Sequence, residues 1–167
     1  MLTVVSDTHS QAGHALSGRT LEAVREAERV IHAGDFTTSS ALEAFQNEAP
    51  RLDAVYGNVD ENQVRERLPE ARTIEWEGLR IAVTHRRNGG QTGLAMFGRE
   101  RGADIVISGH SHQPGVTRTD DLTLLNPGSH AQPRGNRPGH AELEVVEEGI
   151  HGRLREPDGS VFEEFSF

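Results

Sequence analysis

The sequence predicts an α/β protein whose helices pack outside a layered β-sheet core. Two observations carry that expectation. Over the first two-thirds of the 167 residues, short apolar runs alternate with segments whose apolar residues recur every three or four positions. The last third is mostly strand-like, with apolar and polar residues alternating. A third feature bears on chemistry: five of the apolar runs end in a glycine turn, in a residue able to bind a metal, or in both.

Taken in order, LTVVS (Leu2 to Ser6) is a compact apolar run and reads as a buried strand. Gly18 to Glu28 is helical, with Leu21 and Val24 on one face and Glu22, Arg25 and Glu26 outside. RVIHAGD supplies a second strand, Val30 to His32. A helix follows from Ser40, where Ser40 and Glu43 have the spacing of a capping box, and Pro50 closes it. RLDAVYGNVD gives a strand running into Gly57, and ENQVRERLP one or two helical turns before Pro69. TIEWEGLRIAVTH predicts a hairpin turning at Glu77–Gly78. TGLAMFGRERG predicts a helix, and Ile105 to Ser108 a short buried strand. LTLLNPGS follows, and HAELEVVEEG and IHGRLREP predict two more strands, the first alternating through Leu143 and Val145.

The length suits a single domain over 1–167 with a sizeable core. The hydrophobic fraction is 34%, and counting the 18 glycines brings it to about 45%, ordinary for a globular chain. No run approaches the ~18 apolar residues of a membrane span. The first residues lack a signal peptide's basic region and long apolar core, so the expected location is the cytoplasm. With no cysteine, disulfides, thiolate metal sites and cysteine nucleophiles are excluded. Any metal must be held by His, Asp, Glu, Asn or backbone oxygen. All 17 basic residues are arginine and the net charge is −9, which disfavours sequence-independent binding to nucleic acid or to an anionic membrane. Such a surface also suits a salty cytoplasm.

The ends of the apolar runs collect the chemistry. Asp7 and His9 follow the first strand, Asp35 the second, Asn58 and Asp60 the third. His85 follows the second arm of the hairpin, and His110 and His112 follow Ile105 to Ser108. Ligands of open α/β sheets bind outside the carboxyl ends of the strands, so these side chains are expected on one rim. An H-x-H spacing can turn two imidazoles to the same side, and converging neutral imidazoles suit a transition metal.

The series DTH, GD, GNVD, TH and GHSH resembles the calcineurin-like metallophosphoesterases. In length and order it is similar to their small single-domain phosphodiesterase subgroup, which includes the Vps29-like proteins. The resemblance runs from Met1 to about Ser129, taking in NPGS at Asn126 to Ser129. It implies a four-layer sandwich, two β-sheets flanked by helices, with two divalent metal ions at the strand ends. It places Asp7, His9 and His112 on one ion, Asn58, His85 and His110 on the other, and Asp35 between both. Asn58, His85 and Asp35 are thereby implied in catalysis. Two cations about 3.5–4 Å apart do need a shared anionic ligand. The nitrogen and oxygen donors suit Mn²⁺, Fe²⁺, Ni²⁺ or Zn²⁺, and the family's habits favour Mn²⁺. Two divalent ions, two carboxylates and a hydroxide leave roughly one fixed positive charge, which would draw a small-molecule phosphoester. The implied reaction is in-line attack by hydroxide on phosphorus.

Two departures from the family pattern matter. Larger relatives have a histidine after the Gly-Asn pair that can protonate the leaving group; here that residue is Val59. Asp60 could substitute for it, or could simply hydrogen-bond the turn backbone. The histidine of the fourth block is followed by Arg86 and Arg87 rather than glycine, giving either a phosphate-contacting loop or a solvated turn. Arg134 and Arg137 lie in a similar turn. His14, His130, His140 and His151 fall outside the motif blocks and read as surface or loop residues, whereas His32 sits where it could brace the site. Two other functions share the fold: a Vps29-like interaction scaffold, expected to have lost ligand residues, and a DNA-repair nuclease, expected to be longer and to carry a basic stripe. Neither mark is present, a phosphomonoesterase remains open, and a homo-oligomer is compatible with the sequence.

Overall fold

In the computed structural model, which describes residues 1–167, all four residues of β1 (Leu2–Val5) are buried, and alternation along the strand decides what each one meets. Leu2 and Val4 point into the cluster between the two sheets, Val5 into the cluster beneath the helices, and Thr3 Oγ1 donates to Ala23 O of α1 (Gly18–Glu26). A strand buried on both faces needs cover on both, which is why a layered architecture follows from its composition.

β1 pairs in parallel with β2 (Arg29–His32), which pairs in parallel with β3 (Leu52–Ala54). α1 and α2 (Ser39–Glu48) cover this sheet, burying Val24, Leu42 and Phe45 against Val5 and Val30. A two-turn helix, α3 (Asn62–Arg67), follows β3. The second sheet begins with the antiparallel hairpin of β4 (Ala71–Trp76) and β5 (Leu79–Thr84). Its turn residues Glu77 and Gly78 have φ of 49° and 81°, the left-handed pair that a two-residue hairpin requires. α4 (Gly90–Arg99) then crosses to β6 (Ile105–Ile107), and β7 (Gly115–Arg118) returns to β8 (Thr123–Asn126). The chain comes back to the first sheet with β9 (His140–Val146), β10 (Gly149–Arg155) and β11 (Val161–Ser166).

The sheet orders are β11-β10-β9-β1-β2-β3 and β4-β5-β6-β8-β7. Seventeen buried apolar residues fill the space between the sheets, among them Ile31, Val83, Ile105, Ile107 and Leu125. Phe97 and Ala95 of α4 cover Ala82 and Val106 on the outer face of the second sheet. The result is a four-layer sandwich, as expected. No helix is long and apolar enough to cross a membrane.

The structure departs from the sequence reading at several points. α2 is capped by Thr38, whose side chain accepts from Ala41 N at 3.2 Å, and not by Ser40. Glu61 Oε1 accepts from Ser39 N instead, so a tertiary contact replaces the local capping box. α1 stops at Glu26 because Glu28 N turns to Met1 O. β7 and β11 were not expected: β7 is four residues long, and VFEEFS has adjacent glutamates that break the alternation. His140 and His130 are not surface residues. His140 is fully buried on β9, between Thr20 Oγ1 (3.0 Å) and Glu142 Oε1 (3.0 Å), and His130 is 7% exposed.

Glu142 is 1% exposed and also receives Arg19 Nε at 2.8 Å. Burial alone would raise its carboxyl, but the hydrogen bonds from His140 and Arg19 outweigh burial and hold it at about 2. A carboxyl depressed from 4.5 stabilises the fold fully above pH 4.5 and loses that contribution as pH falls toward 2, in total about 3 kcal/mol. Glu142→Gln should therefore lower the unfolding free energy at pH 7 by about that amount and flatten its decline between pH 4.5 and 2, as read from urea unfolding across that range.

Candidate metal centre

Parallel neighbours end together, so β1 and β2 in one sheet, and β5 and β6 in the other, deliver their following residues to one rim of the sandwich. The backbone there is unusual. Asp7, His9, Asp35, His110 and His112 all have positive φ, between 47° and 70°. For residues with a Cβ this region costs about 1–2 kcal/mol each, and such strain gathers at functional sites. Cross-loop bonds pay part of it: Asp7 N donates to Gly34 O and His9 N to Asp35 O, both at 3.0 Å.

Two glycines make room for the carboxylates. A Cβ on Gly57 would fall 2.0 Å from Asp35 Oδ1, and one on Gly109 would fall 2.0 Å from Ser6 Oγ and 2.6 Å from Asp7 Oδ2. Each carboxylate has one oxygen tied to the protein. Asp7 Oδ2 accepts from Ser6 Oγ (2.6 Å) and His110 N (3.0 Å, shared with Oδ1 at 3.2 Å), and Asp35 Oδ1 accepts from Val59 N (3.0 Å). Their remaining oxygens face the imidazoles. Asp7 Oδ1 lies 3.4 Å from His112 Nε2 and 3.7 Å from His9 Nε2. Asp35 Oδ2 lies 3.5 Å from His9 Nε2 and 3.1 Å from His85 Nε2, within reach of both sides. Asn58 Oδ1 lies 3.0 Å from His85 Nε2 and 2.9 Å from His110 Nδ1.

The tautomers turn this into a test of what the site can hold. His85 donates Nδ1–H to Ala33 O, and His112 donates Nδ1–H to Gln132 O. In the neutral rings the lone pairs therefore sit on Nε2 and face carboxylate and amide oxygens. Lone pairs opposed to lone pairs need a proton or a cation between them. Donor atoms around a metal bound at 2.0–2.2 Å stand about 3–3.5 Å apart, close to most of these separations. Asp7, His9 and His112 form one group able to hold an ion, and Asp35, His85 and His110 another. Burial opposes charge on His85, but Asp35 and Asp7 outweigh it and raise the ring above its usual value. Burial likewise pushes Asp35 up, while His85 and His9 bring it below the usual range. His110 is lowered by its partial burial and by the neighbouring His85 and Arg86.

All seven sequence-selected residues thus meet at one rim. Asp60 does not serve as a free acid: its carboxylate accepts from the backbone N–H groups of Gly57, Thr37 and Asp35 at 2.7–3.0 Å, bracing the turn. Val59 is exposed. His32 touches no candidate ligand side chain; it accepts from Gly34 N, bonds Thr8 Oγ1, and stacks on Phe36 at 3.6 Å. Burial pushes that ring well below its usual value and keeps it neutral. Arg87 packs over Phe97 at 4.4 Å and lies 3.4 Å from Glu70, whereas Arg86 is exposed and has no carboxylate partner. Arg137 stacks on Phe162 and pairs with Glu156, away from the centre. Sequence reasoning missed Ser129 and Gln132. Ser129 Oγ donates to Asp7 O and accepts from Gln132 N, which sets the Gln132 carbonyl against His112. Ser129 ends the NPGS block, but Gln132 acts through its backbone and leaves no sequence signal.

A family model described as the calcineurin-like phosphoesterase superfamily domain matches residues 1–148. A probable metallophosphoesterase of Methanothermobacter thermautotrophicus is 34% identical over 158 residues, spanning 92% of this chain and 91% of that one. A phosphodiesterase of Methanocaldococcus jannaschii is 28% identical over 136 residues, spanning 75% of this chain and 81% of that one. Among solved structures, wild-type Vps29 of Entamoeba histolytica complexed with Zn²⁺ matches with a TM-score of 0.81 at 23% identity, over 99% of this chain and 98% of that one. At that identity the likeness is one of fold.

Gly109→Ala should be costly despite adding a single methyl, since Ser6 and Asp7 cannot both keep their places. A loss of about 1–3 kcal/mol in unfolding free energy is expected, read by thermal or urea unfolding.

Proposed function

The chain belongs to the calcineurin-like phosphoesterase superfamily, and from that premise we propose that it is a phosphodiesterase depending on two divalent metal ions. The observation that carries this reading is Asp35, whose Oδ2 stands 3.5 Å from His9 Nε2 and 3.1 Å from His85 Nε2, within reach of both sides of the site. Asp7, His9 and His112 would hold one ion, Asn58, His85 and His110 the other, and Asp35 both. Mn²⁺ is the favoured metal; Ni²⁺, Fe²⁺ and Zn²⁺ suit the same donors. Two such ions would supply Lewis-acid charge and lower the pKa of water, providing hydroxide for in-line attack on phosphorus.

The chain's own residues do the rest. The hydrogen bonds to the outer oxygens of Asp7 and Asp35 fix both carboxylates, and those from His85 and His112 to backbone carbonyls fix the tautomers. Asn58 Nδ2 has no partner within the protein and can donate to a phosphoryl oxygen. Hydrolysis breaks an ester P–O bond, joins phosphorus to the oxygen of water, and leaves an alkoxide that must take a proton. With Val59 where larger relatives have histidine, and Asp60 committed to three backbone N–H groups, the protein offers no obvious acid. Leaving groups stable as anions are therefore favoured.

A cytoplasmic, single-domain hydrolase of small phosphoesters is the fuller form of this reading. The scaffold alternative draws on the Vps29 likeness, but a full complement of seven donors at one rim favours catalysis.

Protein stripped with a chelator should not hydrolyse bis-p-nitrophenyl phosphate, and Mn²⁺ should restore turnover, with elemental analysis giving two ions per chain. Two tightly held ions without turnover would count for the scaffold. Asp35→Asn, which adds no strain because Asn accepts a left-handed backbone, should lower kcat by several orders of magnitude and weaken both ions. His112→Asn should reduce Mn²⁺ affinity in calorimetry together with rate, whereas His151→Ala, on β10 beside Glu164, should alter neither.

A further inference from the structure

A cleft of about 440 Å³ opens beside one half of the centre, between α4 and the β7–β8 hairpin. That volume lies within the range of about 300–1,000 Å³ usual for small-ligand sites. His85 and His110 line it, while Asp7, His9 and His112 do not. The cleft is therefore continuous with one half of the metal centre only. Its apolar lining is Leu94 from α4 and Val116, Leu124 and Leu125 from the hairpin. Gly115 lies on the same wall, and a Cβ there would meet nothing within 4 Å, so the cleft is open at that point.

Two charges without protein partners face this space. Arg86 is exposed on the histidine side and forms no ion pair, unlike its neighbour Arg87. Glu163 reaches the cleft from β11, the edge strand of the other sheet; it is half-buried and has neither a hydrogen bond nor an ion pair. Its neighbour Glu164, by contrast, lies near His151 and Arg153. Arg86 and Glu163 do not pair with each other. A half-buried carboxylate gains most from a donor that displaces its water, and an apolar wall beside it suits a flat face.

We propose that the cleft binds one arm of the phosphoester, and that the arm is a nucleoside whose base carries an amino group. The base lies on Leu94 and Leu124, its N–H edge donates to Glu163, and the phosphate lies toward Arg86, His85 and His110. A carboxylate accepting from the amino group of cytosine is an established pairing, and base faces bind apolar side chains without regard to sequence. This inference rests on the hydrolase reading of the same site.

The test is calorimetry with Mn²⁺-loaded protein, titrated with cytidine 5′-monophosphate, inorganic phosphate and phosphocholine. Cytidine monophosphate is expected to bind about tenfold or more tightly than either of the others. Gly115→Phe, which fills the cleft from an open position, should bring it down to the affinity of inorganic phosphate. Glu163→Ala should cost about fivefold on cytidine monophosphate alone, and guards against a Gly115 variant that folds poorly. Arg86→Ala should weaken cytidine monophosphate and phosphate alike. Cytidine monophosphate binding no better than phosphate, or a margin that survives Gly115→Phe in a folded protein, overturns the proposal. Tighter binding of phosphocholine overturns the nucleoside assignment in favour of an alkylammonium arm. Turnover of bis-p-nitrophenyl phosphate, measured in parallel, separates the two readings: turnover without the nucleotide margin defeats the cleft alone, and absence of turnover with every metal defeats the hydrolase.

Discussion

Two nearly dry carboxylates, Asp7 and Asp35, stand within 4.0 Å of imidazole nitrogens, and the surrounding fold is arranged to keep them there. A carboxylate taken out of water is tolerated only when its oxygens find donors or cations. Here one oxygen of each is satisfied by the protein and the other is turned inward, toward the rings. Most features of the rim serve this division. Gly57 and Gly109 have no Cβ because the carboxylates occupy that space, and Asp60 ties down the turn that supplies Val59 N.

The rim is strained, and the layers behind it supply the stability that permits the strain. Five candidate ligands lie in the left-handed region, at a combined cost of several kcal/mol by the usual magnitude of about 1–2 each. The 17-residue cluster between the sheets and the smaller clusters under the helices lie directly behind those loops. Buried Arg29 and Asp53, with half-buried Arg72, add a polar tie between the sheets: Arg29 Nε and Arg72 Nη1 reach Asp53 at 2.6 and 2.9 Å, and Arg29 also donates to Glu75 O. Asp53, flanked by both arginines, has its charge satisfied, which is the condition for a carboxylate to be tolerated in the interior.

The centre is not symmetric. Asp7 and His112 are buried and His9 nearly so, and their loops are held by Ser129 and Gln132. His110 and Asn58 are exposed, and that half opens into the cleft under α4. An enclosed half suits tight retention of an ion, and an open half suits exchange of substrate. The fold places the two a few ångströms apart because each half draws residues from both sheets, whose strands end at the same rim.

The sequence by itself determined the alternation of strands and helices, the Glu77–Gly78 hairpin, and the seven residues that converge at the rim. These were legible because they are local: a buried strand is a run of Val and Ile, and a ligand at its end is the next residue or the one after. What only the tertiary structure decided was everything set by distant neighbours. Thr38 rather than Ser40 caps α2 because Glu61, far along the chain, already serves Ser39. His140 is buried because a strand's outward position becomes inward once α1 covers it. Gln132 orients His112 through a carbonyl that every residue possesses, and β7 and β11 are strands because a partner's open edge accepted them. Sequence pattern encodes which surfaces must be buried, whereas the pairing of those surfaces, and the hydrogen bonds that pairing leaves open, exist only after the chain has closed on itself.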